Sequence, residues 1–298
     1  MPNDSSTQPN RLPTYFVSHG GGPWPWIKDQ MPGDWGPLER SLQSIPAELG
    51  GEPKAILAVS GHWEEREFTV QTHPNPPMYY DYGGFPEFTY HIQYPAPGAP
   101  DVATRVGELI DAAGIPVRYD GERGFDHGVF APFFVSYPEA DVPILQLSIK
   151  ATYDVADHLA VGRAIAPLRD EGVLIVGSGF TYHNLRLFGP AGAEPSRQFE
   201  RWLTESLVEG PIDERNERLL EWDRAPGARL SHPAEDHLIP LMVAVGAAED
   251  EAGVRTYYEN SFMGSLTSAS YRFGPVPAST EDEAGAESPE LAAVGGDG

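Results

Sequence analysis

AILAVSGHW, residues 55–63, opens with five apolar residues in unbroken series and stops at Ser60 and Gly61, just ahead of His62 and Trp63. An apolar run that does not alternate reads as a strand buried on both faces, the condition of a parallel sheet covered by helices. TYFVS (14–18) and VLIVGSG (173–179) have the same character, and they lead through VSHGGG and GSGFTYHN to His19 and His183. FTVQTH (68–73), PVRYD (116–120) and PILQLSI (143–149) read as further strands, and helical patterns fall near 36–48, 101–113, 155–170, 195–209 and 236–247. Strands alternating with helices in this way predict one α/β domain around a central, mostly buried sheet. Ligand-binding loops in such folds leave the carboxyl edge of the sheet, so His19, His62 and His183 are expected to crowd that edge. His237, in HPAEDHLIPL, follows a loop containing Pro233 and stands near the start of a helix.

Composition narrows the chemistry. With 298 residues, 40% of them hydrophobic, the chain can bury a substantial core. Residues 1–12 are polar and expected to form a flexible arm, and the acidic, Ala- and Gly-rich segment 275–298 to form a disordered tail, leaving 13–274 as the single folded domain. There is no apolar leader after a basic start and no run near membrane-spanning length, so a cytoplasmic protein without a membrane partner is expected. The absence of cysteine removes disulfides, thiolate nucleophiles and cysteine metal sites, so a metal must be held by His, Asp or Glu. A net charge of -24 argues against nucleic acid as a partner, because that needs a basic footprint. Lysine is rare beside arginine, and the acidic excess fits a halophile-like proteome in which salt screens self-repulsion.

The segment HPNPPMYYDYGGFPEFTYHIQYPAPGAP (73–100) is too rich in proline, glycine and aromatics for a regular core element. It reads either as a wall or lid over a flat apolar substrate or as a loop packed over one sheet edge. Each histidine read singly also fits a hydrogen-bonded core or turn residue. Gly20, Gly21 and Gly22 leave room beside His19, and Asn184 beside His183 could orient a ring or a ligand. His127, in GFDHGVFAPF, is flanked by glycine in the same way. His232 and His237 are five apart and do not share a helical face, and of the two His237 is favoured. His158, near Asp154 and Asp157, reads as solvent-facing, while His73 and His91 belong to the aromatic segment.

Seven ordered motifs raise these histidines together: SHGGGP (18–23), VSGHW (59–63), YDYGGFPEFTYHIQYPAPG (80–98), GFDHGVFAPF (125–134), PILQLSI (143–149), GSGFTYHNLR (177–186) and HPAEDHLIPLMVAVGAA (232–248). In this order, over about residues 13–273, they resemble the class III extradiol ring-cleavage dioxygenases, in the branch of the 4,5-DOPA extradiol dioxygenases. The resemblance implies a three-layer αβα sandwich around a mixed sheet, one divalent metal per chain, and insertion of both atoms of O2 into a catechol beside its hydroxyls. It places His19, His62 and His237 on ligand positions and His183 on a position that is either a further ligand or the acid/base. It places His127 on an active-site histidine beside the ligands. Two departures accompany it: Glu235 and Asp236 next to His237 leave the third ligand open between carboxylate and imidazole, and the first motif lacks the serine of the branch's GHGSP-like pattern.

The chemistry matches the residues. Ground-state O2 reacts poorly with a closed-shell catechol, so a metal with open positions must hold both, Fe(II) being expected for activity and Zn(II) the alternative. His183 and His127 are then the candidate catalytic residues, and Tyr82, Phe85, Phe88 and Asn184 the candidate substrate contacts. Tyr79 and Tyr80 would help cover the ring. Two rivals are a zinc hydrolase on the same scaffold and a non-catalytic binding protein.

Overall fold

A computed structural model describes residues 11–276. The arm and tail expected at 1–12 and 275–298 therefore lie outside the described residues, apart from two positions each, of which Leu12 is buried. The strands are β1 (Thr14–Ser18), β2 (Ala55–Ser60), β3 (Glu64–Glu65), β4 (Phe68–Gln71), β5 (Val117–Asp120), β6 (Ile144–Gln146), β7 (Ile149–Lys150), β8 (Val173–Gly179), β9 (Gly253–Phe262) and β10 (Leu266–Phe273). The central sheet runs β6-β2-β8-β1-β10-β9. Its first four strands are parallel, β10 is antiparallel to β1 and β9 to β10, so the sheet is mixed.

The helices are α1 (Trp24–Ile27), α2 (Gly36–Leu49), α3 (Pro100–Ala112), α4 (His127–Ser136), α5 (Val155–Ile165), α6 (Pro190–Thr204), α7 (Ile212–Leu220), α8 (Ala228–Ser231) and α9 (Ile239–Gly246). The unbroken apolar runs divide by parity between two cores. Leu57, Val59, Val173 and Ile175 pack with residues of α3, α5, α6 and α9, while Ile56, Ala58, Leu174 and Val176 pack with residues of α2 and α4. Both faces of β2 and β8 are thus dry, which is why residues 55–59 and 173–177 carry no polar side chain and serine enters only at the strand ends, as Ser60 and Ser178. This is the αβα sandwich, in one domain.

Two strands from the sequence reading form a separate layer. FTVQTH and PVRYD become β4 and β5, paired parallel with each other and outside the central sheet. The middle residues of β5, Arg118 and Tyr119, are exposed, so this strand has no second core to face. The hairpin β9–β10 carried no pattern signal. β10 is nearly all buried, yet it is LTSASYRF, and its polarity is absorbed locally: Ser270 Oγ accepts from the Ser18 N–H at 3.0 Å and the Ala269 N–H donates to Thr181 Oγ1 at 3.1 Å.

His158 also departs from expectation, for it is fully buried. It falls on the stripe of Val155, Leu159, Gly162 and Ile165 that α5 turns inward. Its Nδ1–H donates to Asp154 O at 2.6 Å, and Nε2 accepts the Lys150 N–H at 3.0 Å.

Candidate metal centre

β1, β2 and β8 are neighbours that end level: Ser18 is paired with Gly179, and Ser60 with Ser178. The chain therefore leaves all three strands at one edge, and His19, His62 and His183 follow there as expected. His237 arrives from the loop before α9, which lies directly on the strand ends. A Cβ on Gly179 would stand 2.1 Å from His237 O, and one on Gly177 2.3 Å from Pro240 O. The GSG run thus serves backbone contact between layers, sealed by the Phe180 N–H donating to His237 O at 2.9 Å.

The rings converge. Centroids lie 5.0 Å apart for His19 and His62, 5.2 Å for His19 and His237, 4.5 Å for His62 and His237, and 4.0 Å for His62 and His127. Oxygen acceptors dictate the tautomers, since a carbonyl or carboxylate can only accept. His19 Nδ1 donates to Gly20 O at 2.6 Å, and His237 Nδ1 to Asp236 Oδ2 at 2.7 Å. His62 Nδ1 lies 3.3 Å from Asp81 Oδ2. Each Nε2 is left with a lone pair turned inward. His19 Nε2 is buried without a hydrogen-bond partner, and the Nε2 atoms of His62 and His237 stand 3.1 Å apart. Lone pairs gathered in this way want a shared cation, so the residues fit a metal.

Burial holds His19, His62 and His237 well below the usual imidazole range, and neighbouring imidazoles add to it, His127 for the first two and His183 for the third. All three are neutral at pH 7, the ligating form. One ligating atom each of His19, His62 and His127 lies within 4.8 Å of the others, and the same holds for His183, Asp236 and His237. The two groups meet at the His62–His237 contact.

His183 stacks on His237 with centroids 3.4 Å apart, and its Nδ1 is 3.7 Å from Asp236 Oδ2. Its pKa is lowered by burial, against the pull of Asp236. The neighbouring carboxylates are engaged elsewhere: Asp236 on the Nδ1 side of His237, and Glu235 by Arg229 Nη1 at 2.6 Å. Glu235 is thus turned away from the cluster, while Asp236 and His237 both lie beside it.

The aromatic segment does both things open to it. Its distal part packs over the sheet edge, where Pro97 O accepts the Ile144 N–H at 2.8 Å and buried Tyr94 donates to Phe133 O at 3.1 Å. Its proximal part faces the site: Tyr82 lies edge-on to His127 at 5.8 Å, and Phe85 stands edge-on to Tyr82 at 5.4 Å. The room beside His19 is taken by two rings, Phe85 of this segment and Trp24 of α1. A Cβ on Gly22 would meet the Phe85 ring at 2.7 Å, and one on Gly20 the Trp24 indole at 2.2 Å.

Other candidates lie apart. Phe88 is half exposed, and Asn184 spends its amide on Leu230 O and the Arg186 N–H at 2.8 and 3.0 Å. His232 is buried against Phe199 and Trp222, His73 Nδ1 accepts the Asn75 N–H, and His91 is exposed beside Glu87. Two participants escaped the sequence reading. Phe180 packs edge-on to His19 at 4.8 Å, and Asp81 Oδ1 accepts from His127 Nδ1 at 2.8 Å. Their only signal was position, Phe180 directly after Gly179 and Asp81 between tyrosines.

A sandwich with imidazoles gathered at the carboxyl edge of its parallel strands defines a metal-dependent α/β enzyme. The chain belongs to the family described as the catalytic LigB subunit of aromatic ring-opening dioxygenase, whose model matches residues 13–274. It is 36% identical over 272 residues to a 4,5-DOPA dioxygenase extradiol of Beta vulgaris, covering 90% of this chain and 98% of that one. A protein of the same description from Escherichia coli K12 is 36% identical over 270 residues, covering 89% and 95%. The dioxygenase tasH of Hapsidospora irregularis is 37% identical over 282 residues, covering 87% and 85%. The crystal structure of an uncharacterized protein from Escherichia coli K12 superposes with a TM-score of 0.70 at 33% identity, over 89% of this chain and all of the other. The protein is an extradiol dioxygenase, an oxidoreductase that opens an aromatic ring and incorporates both oxygen atoms. No helix among the described residues is long and apolar enough to cross a membrane.

Proposed function

We propose that residues 13–274 form a catalytic domain that opens a DOPA-like catechol with O2, using Fe(II) held by His19, His62 and His237. The observation that carries this reading is the convergence of three neutral imidazoles: the Nε2 atoms of His62 and His237 stand 3.1 Å apart, His19 Nε2 is buried without a partner, and a carbonyl or carboxylate oxygen lies beside each Nδ1. When bound, the metal supplies open positions at which catechol and O2 meet and exchange electron density.

The chain's own residues do the rest. Three neutral imidazoles bind without cancelling the metal's charge. His183, with its pKa lowered by burial, takes a proton from a catechol hydroxyl and returns it to the ring-opened product, in keeping with its place beside Asp236. His127 is a hydrogen-bond partner for the substrate or the incoming oxygen. Tyr82, Phe85 and Phe180 form an apolar wall that keeps water from the ring. Both atoms of O2 end in the product, so no further reductant is consumed.

The test is anaerobic loading with Fe(II) or Zn(II), followed by a catechol panel in an oxygen electrode. The Fe(II) form should consume one O2 per ring opened and yield a yellow semialdehyde. Ester or amide cleavage by the Zn(II) form, with O2 untouched by the Fe(II) form, would overturn the reading.

A further inference from the structure

Asp81 sits inside the aromatic segment, yet both its oxygens are turned to the metal centre. Oδ1 accepts from His127 twice, from Nδ1 at 2.8 Å and from the backbone N–H at 3.1 Å. Oδ2 is buried without a hydrogen-bond partner and lies 3.3 Å from His62 Nδ1. Asp236 differs in placing a single oxygen, Oδ2, toward His237 and His183. The backbone around Asp81 is pinned independently of the histidines. The Tyr79 N–H donates to Phe125 O at 2.8 Å, the Arg123 guanidinium lies over the Tyr79 ring at 4.5 Å, and Tyr82 Oη donates to Thr89 O at 2.7 Å.

We propose that Asp81 is a positioning residue whose one carboxylate sets the Nδ1–H tautomer of both a metal ligand, His62, and the neighbouring His127, tying both to the aromatic segment. The proposal rests on the ring-opening reading of the site. Its logic is the inventory of a carboxylate, which offers two acceptors and no donor. An asparagine there offers one acceptor oxygen and, in place of the other, an NH2 group that only donates. In Asp81→Asn, therefore, His62 and His127 cannot both keep their Nδ1 protons on residue 81, and whichever loses its acceptor is free to present the wrong nitrogen.

Co(II) titration and steady-state kinetics on wild type, Asp81→Asn and Asp81→Glu test this. Asp81→Asn should bind Co(II) roughly 10–100-fold more weakly and show an altered Co(II) visible spectrum. With Fe(II), its kcat should fall by a similar factor of roughly 10–100 while KM for catechol changes little. The metal-free variant should melt within about 3 °C of wild type. Asp81→Glu, which keeps two acceptors, should recover part of each loss. Wild-type Co(II) affinity and kcat in Asp81→Asn would overturn the proposal, as would losses that Asp81→Glu shares in full.

A measurement without a variant covers the case in which Asp81→Asn does not fold. In the 15N-histidine, Zn(II)-loaded wild type, NMR should find a proton on Nδ1 of both His62 and His127, and its absence from either would overturn the idea. Wild type that binds Co(II) but opens no catechol would instead count against the ring-opening reading, leaving the tautomer result to decide the role of Asp81.

Discussion

His19, His62 and His237 each have an oxygen beside Nδ1, of different kinds: hydrogen-bonded to a carbonyl from the adjacent residue and to a carboxylate from the preceding residue in His19 and His237, and 3.3 Å from a carboxylate of a distant loop in His62. The common result is a neutral ring with Nε2 free, so removing any one should open the site. His19→Ala or His62→Ala should lose stoichiometric Fe(II) or Zn(II), measured by metal analysis after dialysis. His183→Ala should keep the metal and lose turnover by ~10²–10⁴-fold, the span of a positioned acid/base. If His183→Ala also arrives without metal, His183 belongs to the ligand set. The candidate ligands were legible because they follow apolar runs that end at small residues. Asp81 was not, because nothing in a stretch of tyrosines says which side chain will reach 46 residues along the chain to His127.

Among the elements, α5 and α9 cross where glycine faces carbonyl. A Cβ on Gly246 would stand 2.3 Å from Leu159 O, and one on Gly162 2.4 Å from Val243 O. Gly246→Ala should therefore lower unfolding free energy by about 1–3 kcal/mol, read from the urea midpoint, with metal binding retained. The same helix pair carries a pH effect. Burial pushes His158 down to about 4 from an ordinary value near 6.5, so between those values the unfolded chain binds the extra proton. Stability contributed by neutral His158 is present above pH 6.5 and lost as pH falls toward 4. His158→Gln, which does not titrate, should lose less stability than wild type between pH 7 and 5, by roughly 2 kcal/mol. His158 misled the sequence reading because Asp154 and Asp157 beside it are polar, whereas its own place in the 3.6-residue period puts it inside. The hairpin β9–β10 was illegible for the opposite reason, since hydroxyl groups there do the filling that apolar groups do elsewhere.

Taken as a whole, the molecule carries a net charge of -24, and its arginines are largely spent on ion pairs such as Arg105–Glu171 and Arg163–Glu249. Self-repulsion among the remaining carboxylates should weaken in molar KCl, where the Debye length falls to about 3 Å. The thermal midpoint should rise by several degrees between dilute buffer and 1 M KCl, and a midpoint indifferent to salt would set the screening argument aside. Fold class, the parallel strands β1, β2 and β8 and the three histidines at their edge could all be read from the chain, because burial on two faces leaves an unbroken apolar signature and strand ends leave small residues. The ordered motifs carried the family. The partners of those histidines could not be read: which nitrogen each ring turns inward, which carboxylate lies beside it, and that Glu235 pairs with Arg229 while Asp236 and His237 lie beside the cluster depend on atoms that meet only when β8, the loop before α9 and the aromatic segment are packed together. A hydrogen bond is specified by distance and direction, and residues far apart in the chain acquire both only on folding.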